Sequence, residues 1–230
     1  MYLKIYIDKD VEYLIGISVA SNKEWDFIKE YYKDSIKDVY NYIYGEYFEI
    51  MINNKKVLIY KCGARKSNAS ASTQYMIDNF NLDKVILIGT TAGVNKKYNL
   101  LDVLIPSIAI QGDCNFIENG ESFQDKFITN IDLSKYNMSE TSIIASFDKP
   151  LIYKEDCELM IKNKVDIRDM ESGAIANICK LNKIELVIIK GITDFPGDYE
   201  VDDERQYLEY KENVPKVMEK ILKDYLYKFI

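Results

Sequence analysis

Three acidic residues stand where predicted strands end, and their side chains could carry acid–base chemistry. Glu24 follows the first apolar run, Glu171 stands where an apolar helix begins, and Asp194 follows the last predicted strand. Each acid also has a simpler interpretation. Glu24 and Glu171 fit the first turns of helices, with Asp169 as the cap of the second helix, and Asp194 fits a tight turn. Three such acids at three strand ends nevertheless predict an active site built from carboxylates.

The chain contains no histidine, and this absence limits the available chemistry. Ser-His-Asp triads, Cys-His dyads and histidine-based metal sites are excluded, so acid–base catalysis must use Asp, Glu, Lys, Tyr or Cys. The four cysteines are widely spaced and form no Cys-x-x-Cys pair. This pattern predicts reduced thiols in a cytoplasmic protein, with no metal site and no cofactor.

Length, charge and hydropathy limit the class of protein. The 230 residues are 47% hydrophobic, enough for one substantial core, so we expect a single domain over residues 1–230. The 30 basic and 37 acidic residues give a net charge of −7, which argues against nucleic acid as the main partner. No segment approaches the roughly 20 apolar residues that span a bilayer, and the N-terminus has no run of signal-peptide length. No membrane partner is expected.

Apolar runs alternate with helical patterns along the chain. Near-continuous apolar runs suit strands of a sheet that is covered on both faces. The predicted strands span residues 13–20, 57–62, 84–90, 103–110 and 185–192. Helical spacing occurs after Asn22, before the third strand and at the C-terminus, where Pro215 should kink a long helix or begin its second segment. The alternation predicts an α/β fold with a twisted, mainly parallel central sheet flanked by helices.

In such sheets, ligands bind beyond the carboxyl ends of the strands, which is where the three acids stand. The segment GTTAG at residues 89–93 ends the third predicted strand. We expect it to form a small-residue turn that lets the backbone approach a ligand and offers the hydroxyls of Thr90 and Thr91. A tight turn without a ligand is the alternative.

Several short segments match the motifs of a known family. The two most specific are DMESGA at residues 169–174 and GITD at 191–194, in that order. Supporting segments are IGI at 15–17 followed by Glu24, CGARK at 62–66, GTTAGV at 89–94 and DVL at 102–104. Together they resemble the nucleoside phosphorylase and nucleosidase superfamily, and within it most of all the methylthioadenosine/S-adenosylhomocysteine nucleosidases. The resemblance extends over most of the chain and implies the α/β fold of that superfamily.

The resemblance also implies roles for individual residues. Glu24 would activate water, and Asp194 would protonate, or hydrogen-bond, the departing purine. A carboxyl group is a useful acid near neutral pH only if burial raises its pKa, and the end of a buried strand provides such burial. The implied substrate-binding residues are Glu171 at the ribose hydroxyls, Met170 beneath the sugar, Thr90 near the sugar and the nucleophile, and Phe147 near the base.

Water and phosphate are the two nucleophiles that this superfamily uses. Phosphorylases bind the dianion with arginines, and the arginine that precedes their Gly-Thr-Thr segment would fall at Leu87 here. Glu24 matches the nucleosidases instead, so hydrolysis is expected, although Arg65 leaves phosphorolysis open. A non-catalytic nucleoside-binding protein is a second alternative. The resemblance implies a homodimer, and the base and 5′ substituent of the nucleoside stay open.

Overall fold

The computed structural model describes residues 14–115, 128–138, 141–149, 154–196 and 204–230. Among them, one mixed sheet carries the fold. Its strands are β1 (Leu14–Val19), β2 (Tyr40–Tyr42), β3 (Gly45–Ile52), β4 (Lys55–Lys61), β5 (Leu82–Gly93), β6 (Val103–Leu104), β7 (Ile108–Gln111), β8 (Ile128–Asn130), β9 (Ile143–Ser146), β10 (Ile167–Asp169) and β11 (Glu185–Asp194). The α-helices are α1 (Asn22–Tyr31), α2 (Lys66–Phe80), α3 (Gly112–Asn115), α4 (Lys154–Lys162), α5 (Ser172–Asn182) and α6 (Glu204–Lys220).

The strand order is β2-β3-β4-β1-β5-β10-β9-β7-β8, and β11 pairs with both β5 and β6. The long central strands β4, β1, β5 and β11 are mutually parallel, and antiparallel pairing lies mainly toward the sheet edges. Helices pack on this sheet, as the alternating pattern requires. The α/β fold with a mainly parallel central sheet that the sequence predicts is confirmed. Among the described residues, no helix has both the length and the apolar character needed to cross a membrane.

Two sequence predictions about strand ends need correction. The segment 89–93 is not a turn, because β5 continues through Gly93 while its backbone pairs with β11. The predicted strand over residues 103–110 is divided into β6 and β7, with Pro106 between them, because proline has no N–H for a sheet ladder. The hairpin of β2 and β3 was not predicted, since its tyrosine-rich segment lacks a continuous apolar run.

The C-terminal helix packs across the carboxyl half of β11. Its buried face includes Val214, Val217 and Met218, and Pro215 lies inside α6 rather than at the start of a second helix. Gly191 permits the close approach, because a Cβ at this position would lie 2.3 Å from Val217 Cγ1. The start of α6 thereby lies over the strand ends where the predicted site residues stand.

Candidate active site

A cavity of about 410 Å³ lies at the carboxyl ends of β5 and β11, within the size range of small-molecule sites. Three of its walls come from β5, from the turn between β10 and α5, and from β11, and the fourth comes from α6. The lining residues are Ser21, Ala64, Thr90, Thr91, Ala92, Arg168, Asp169, Met170, Glu171, Thr193, Asp194, Gln206, Tyr207 and Tyr210.

Glu24 lies next to this cavity, and both of its carboxylate oxygens accept hydrogen bonds from residues that line it, Ser21 and Thr90. Oε2 accepts from the Ser21 N–H at 2.8 Å, completing a capping box at the start of α1. Oε1 accepts from Thr90 N at 2.6 Å and from Thr90 Oγ1 at 2.7 Å. The cap interpretation is therefore correct in geometry, but Glu24 is only 2% exposed and is no surface acid. Gly89 makes room for it, since a Cβ there would lie 2.6 Å from Oε1.

Asp169 and Lys190 form a buried ion pair beside Glu24. Lys190 Nζ lies 3.1 Å from Asp169 Oδ2, and both side chains are almost fully buried. Asp169 also accepts hydrogen bonds from Ser172 N at 3.1 Å and from Ser146 Oγ at 2.7 Å, so its side chain binds the first N–H of α5, but the cap position itself is occupied by Glu171 and not, as predicted, by Asp169. Although burial opposes ionisation, Lys190 and these donors hold the pKa of Asp169 below its ordinary value. The pair is a fixed ionic centre under the cavity.

The side chain of Glu171 does not make the helix-cap contact that was the simpler interpretation of this residue. Glu171 stands at the cap position of α5, but its side chain makes no cap hydrogen bond. Instead Oε1 accepts from Arg65 N at 2.9 Å, which orients the carboxylate along the cavity wall. Burial, together with the negative charge of Asp169, raises the pKa of Glu171 to about 7. We call Glu24, Asp169, Glu171 and Lys190 the lysine cluster.

Asp194 occupies the opposite wall, at the last residue of β11. Thr193 Oγ1 donates to Oδ1 at 2.7 Å, and Gln206 Nε2 from α6 donates to Oδ2 at 2.9 Å. Burial raises the pKa of Asp194, although both hydrogen bonds and the positive charge of Arg168 act in the opposite direction. A buried carboxyl of this kind keeps its proton to a higher pH than an exposed one, as a general acid requires.

Four of the six predicted site residues line the cavity, and a fifth, Glu24, does not line it but is hydrogen-bonded to Thr90, which does. Thr90, Met170, Glu171 and Asp194 line the cavity. Phe147 does not line it. Its ring fills the space that a Cβ on Gly112 would need, and it lies 5.8 Å from the Arg168 guanidinium carbon.

Sequence reasoning missed two buried cations, Lys190 and Arg168. Each stands in or beside an apolar strand segment, and each is at most 5% exposed. A charged residue inside a buried strand is itself a signal, because burial of an unpaired charge is costly. Gln206 and Tyr210 were also missed, since their positions depend on how α6 packs over the strand ends. Among the described residues, no group of three or more His, Cys, Asp or Glu side chains is arranged to hold a metal ion.

Comparison with known proteins agrees with the observed fold. The model of the phosphorylase superfamily matches residues 14–226. A 5′-methylthioadenosine/S-adenosylhomocysteine nucleosidase from Buchnera aphidicola is 24% identical over 230 aligned residues, covering 87% of this chain and 90% of the relative.

Two solved structures share the fold. A nucleosidase of the same name from S. pneumoniae, with a transition-state inhibitor, has a TM-score of 0.77 at 16% identity, covering 94% of this chain and 97% of its own. The futalosine hydrolase of Helicobacter pylori has a TM-score of 0.76 at 19% identity, covering 92% and 96%.

Proposed function

This chain belongs to the phosphorylase superfamily, and we propose that it hydrolyses the N-glycosidic bond of a purine nucleoside. The products are the free base and ribose, or a 5′-substituted ribose. The observation that carries the proposal is the placement of two kinds of buried carboxyl on facing walls of one cavity: Glu171 with Glu24 behind it, and Asp194. The curated relatives named as nucleosidases support the same reaction.

The proposed reaction uses each carboxyl in a different way. Protonated Asp194 donates its proton to the five-membered ring of the purine as the bond between C1′ and the base breaks. The bond electrons leave with the base, and an oxocarbenium-like centre forms at the sugar. Water then adds to C1′, and Glu24 takes the proton that the water loses.

Glu171 and Met170 hold the sugar in this proposal. The Glu171 carboxylate accepts hydrogen bonds from the ribose hydroxyls, and Met170 packs beneath the ring. Thr90 lies near the sugar and the nucleophile in this proposal, and its hydroxyl donates to Glu24. The contact of Phe147 with the base stays a prediction, since its ring lies outside the cavity lining.

Charge favours water over phosphate as the nucleophile. The lysine cluster contains three acids and one cation, and Lys190 is already paired with Asp169. A phosphate dianion beside Glu24 and Glu171 would be repelled. Leu87, at the position of the phosphorylase arginine, is fully buried between β1 and β11. Arg65 is exposed, and its backbone N–H donates a hydrogen bond to Glu171.

Two finer predictions accompany the proposal. We propose that the protein acts in the cytoplasm, as its four free thiols suggest. We propose that it forms a homodimer, as the family resemblance implies. Light scattering on the purified chain tests the second, and a monomer at all concentrations would contradict it.

The reaction is tested by incubation with a panel of purine nucleosides that differ in the 5′ substituent, with free base measured by chromatography. We expect base release by the wild type and a large loss in Asp194→Asn, which serves as the control for contaminating enzymes. Tight nucleoside binding without base release would favour the non-catalytic alternative.

A further inference from the structure

Arg168 is a buried cation in the cavity wall that the proposed reaction leaves without a role. It is 5% exposed and lines the same cavity as Asp194. In the sheet, Arg168 on β10 and Asp194 on β11 both pair with Ala92 of β5, from opposite sides. β11 has a register shift between Ile192 and Asp194, and the common orientation of the two side chains is given by the cavity, which Arg168, Asp194 and Ala92 all line.

The guanidinium is held in a defined position. Arg168 Nη2 donates to the backbone carbonyl of Lys149, and the ring of Phe147 lies 5.8 Å from the guanidinium carbon. Its positive charge acts on Asp169 first, and on Asp194 and Glu171 as well. A guanidinium is a fixed fork of N–H donors and accepts no hydrogen bond, so it discriminates between acceptors and donors on a ligand.

We propose, as a deepening of the proposed function, that Arg168 selects nucleosides whose base carries an oxo group next to the nitrogen that Asp194 protonates, as in a 6-oxopurine. On a purine, N7 and the substituent at C6 lie side by side on one edge. Arginine pairs with the O6 and N7 edge of guanine, whereas adenine presents an amino donor at the same place. A donor facing a donor is unfavourable.

The same contact assists the departure of the base. When the bond to C1′ breaks, its electron pair moves into the purine, and until the proton from Asp194 is fully transferred, part of the negative charge lies on the C6 oxygen. A preorganised cation beside that oxygen stabilises the charge as it develops. Arg168 therefore distinguishes oxo from amino bases in the rate of cleavage as well as in binding.

The test compares 5′-methylthioinosine with 5′-methylthioadenosine, and inosine with adenosine, because each pair differs only in the group at C6 and the accompanying hydrogen on N1. We expect the wild type to have a higher kcat/KM for the oxo member of each pair, by roughly 10- to 100-fold, as for a charged hydrogen bond. In Arg168→Met, which keeps the length of the side chain but removes its donors, this ratio should collapse toward one. Arg205→Met, a change at an exposed arginine outside the cavity lining, should preserve the ratio.

A purely structural role, in which Arg168 only anchors the Lys149 carbonyl, predicts another result. Arg168→Met would then lower kcat/KM for both members equally and leave the ratio unchanged, which would overturn the proposal. A wild-type preference for the amino member, or none, would also overturn it while leaving hydrolysis intact. If Arg168→Met does not fold, Arg168→Lys retains the charge without the fork and should reduce the ratio.

A binding experiment tests the selectivity of Arg168 for the base independently of the proposed hydrolysis. Calorimetry with the free bases hypoxanthine and adenine needs no turnover. Tighter binding of hypoxanthine that is lost in Arg168→Met supports the selectivity even if no nucleoside is cleaved. Equal binding of the two bases by the wild type overturns the selectivity even if cleavage is observed.

Discussion

The lysine cluster combines three acids with one buried cation, Lys190, whereas Asp194 is a single acid at the end of β11, and Arg168 on β10 acts on Asp169 and Glu171 as well as on Asp194. Both regions contain acids at strand ends, but their surroundings differ. The lysine cluster has an excess of negative charge, and backbone N–H groups in fixed positions donate to Glu24 and Glu171. These surroundings suit carboxylates that accept a proton or hydrogen bonds from a substrate. Asp194 is buried at the edge of an apolar strand, which favours its protonated form. The comparison shows that environment, rather than residue type, assigns the roles.

The largest effect is expected on the Asp194 side. Asp194→Asn preserves the shape but cannot deliver a proton, so kcat should fall by ~10²–10⁴-fold. Thermal melting should show a folded protein of near wild-type stability. A variant with most of its wild-type rate would remove Asp194 from the role of general acid.

On the opposite side, Glu24→Gln should remove the base that activates water. We expect a loss of kcat of up to ~10²–10⁴-fold with little change in substrate affinity. Ser21→Ala is the matched control, because it breaks the same capping box and leaves the Glu24 carboxylate in place. It should cost about 1 kcal/mol of stability and far less rate. Equal rates in the two variants would mean that Glu24 serves only as a cap.

Glu171→Gln should have a smaller effect, on binding and turnover together. An amide can still hydrogen-bond one ribose hydroxyl, so kcat/KM should fall by roughly 10- to 100-fold, and by less on 2′-deoxynucleosides. Because burial raises the pKa of Glu171 to about 7, wild-type kcat/KM should rise with pH through that value as the carboxylate ionises. Glu171→Gln should not show this rise of kcat/KM with pH. If kcat/KM of the wild type and of Glu171→Gln rose with pH in the same way, the titrating group would be a residue other than Glu171.

The smallest expected effect is on stability. The pKa of Glu171 is about 7 in the folded chain against an ordinary value of 4.5. Between these values the folded state binds more protons than the unfolded state, so the free energy of unfolding should fall as pH rises across the window. Urea unfolding at about pH 5 and about pH 8 measures this fall. Glu171→Gln should show a shallower fall, and parallel curves would contradict the burial of a titrating carboxyl there.

Much of the fold follows from the sequence because the central strands are near-continuous apolar runs. A strand such as Glu185–Asp194, buried almost throughout, has few alternatives. The end of β5 could not be predicted in this way. The small residues at 89–93 are typical of a turn, and the pairing with β11 and β10 keeps them extended. The edge hairpin β2–β3 alternates exposed and buried residues and gives a weaker signal.

The site was partly predictable for a related reason. Acids at strand ends mark the carboxyl edge of a parallel sheet, so Glu24, Glu171 and Asp194 could be proposed without coordinates. Whether an acid caps a helix or faces a ligand depends on its tertiary partners. Glu24 caps its helix, and its hydrogen bond from Thr90 also places it next to the candidate ligand site.

The nature of the nucleophile tests the central claim most directly. Turnover of a cleaved nucleoside should be followed in phosphate-free buffer and with added inorganic phosphate, with the sugar product examined by phosphorus NMR. If the excess negative charge of the lysine cluster excludes phosphate, base release proceeds at the same rate in both buffers and yields only unphosphorylated sugar. Strict dependence on phosphate, with ribose 1-phosphate or its 5′-substituted form as the product, would contradict hydrolysis and place the enzyme among the phosphorylases.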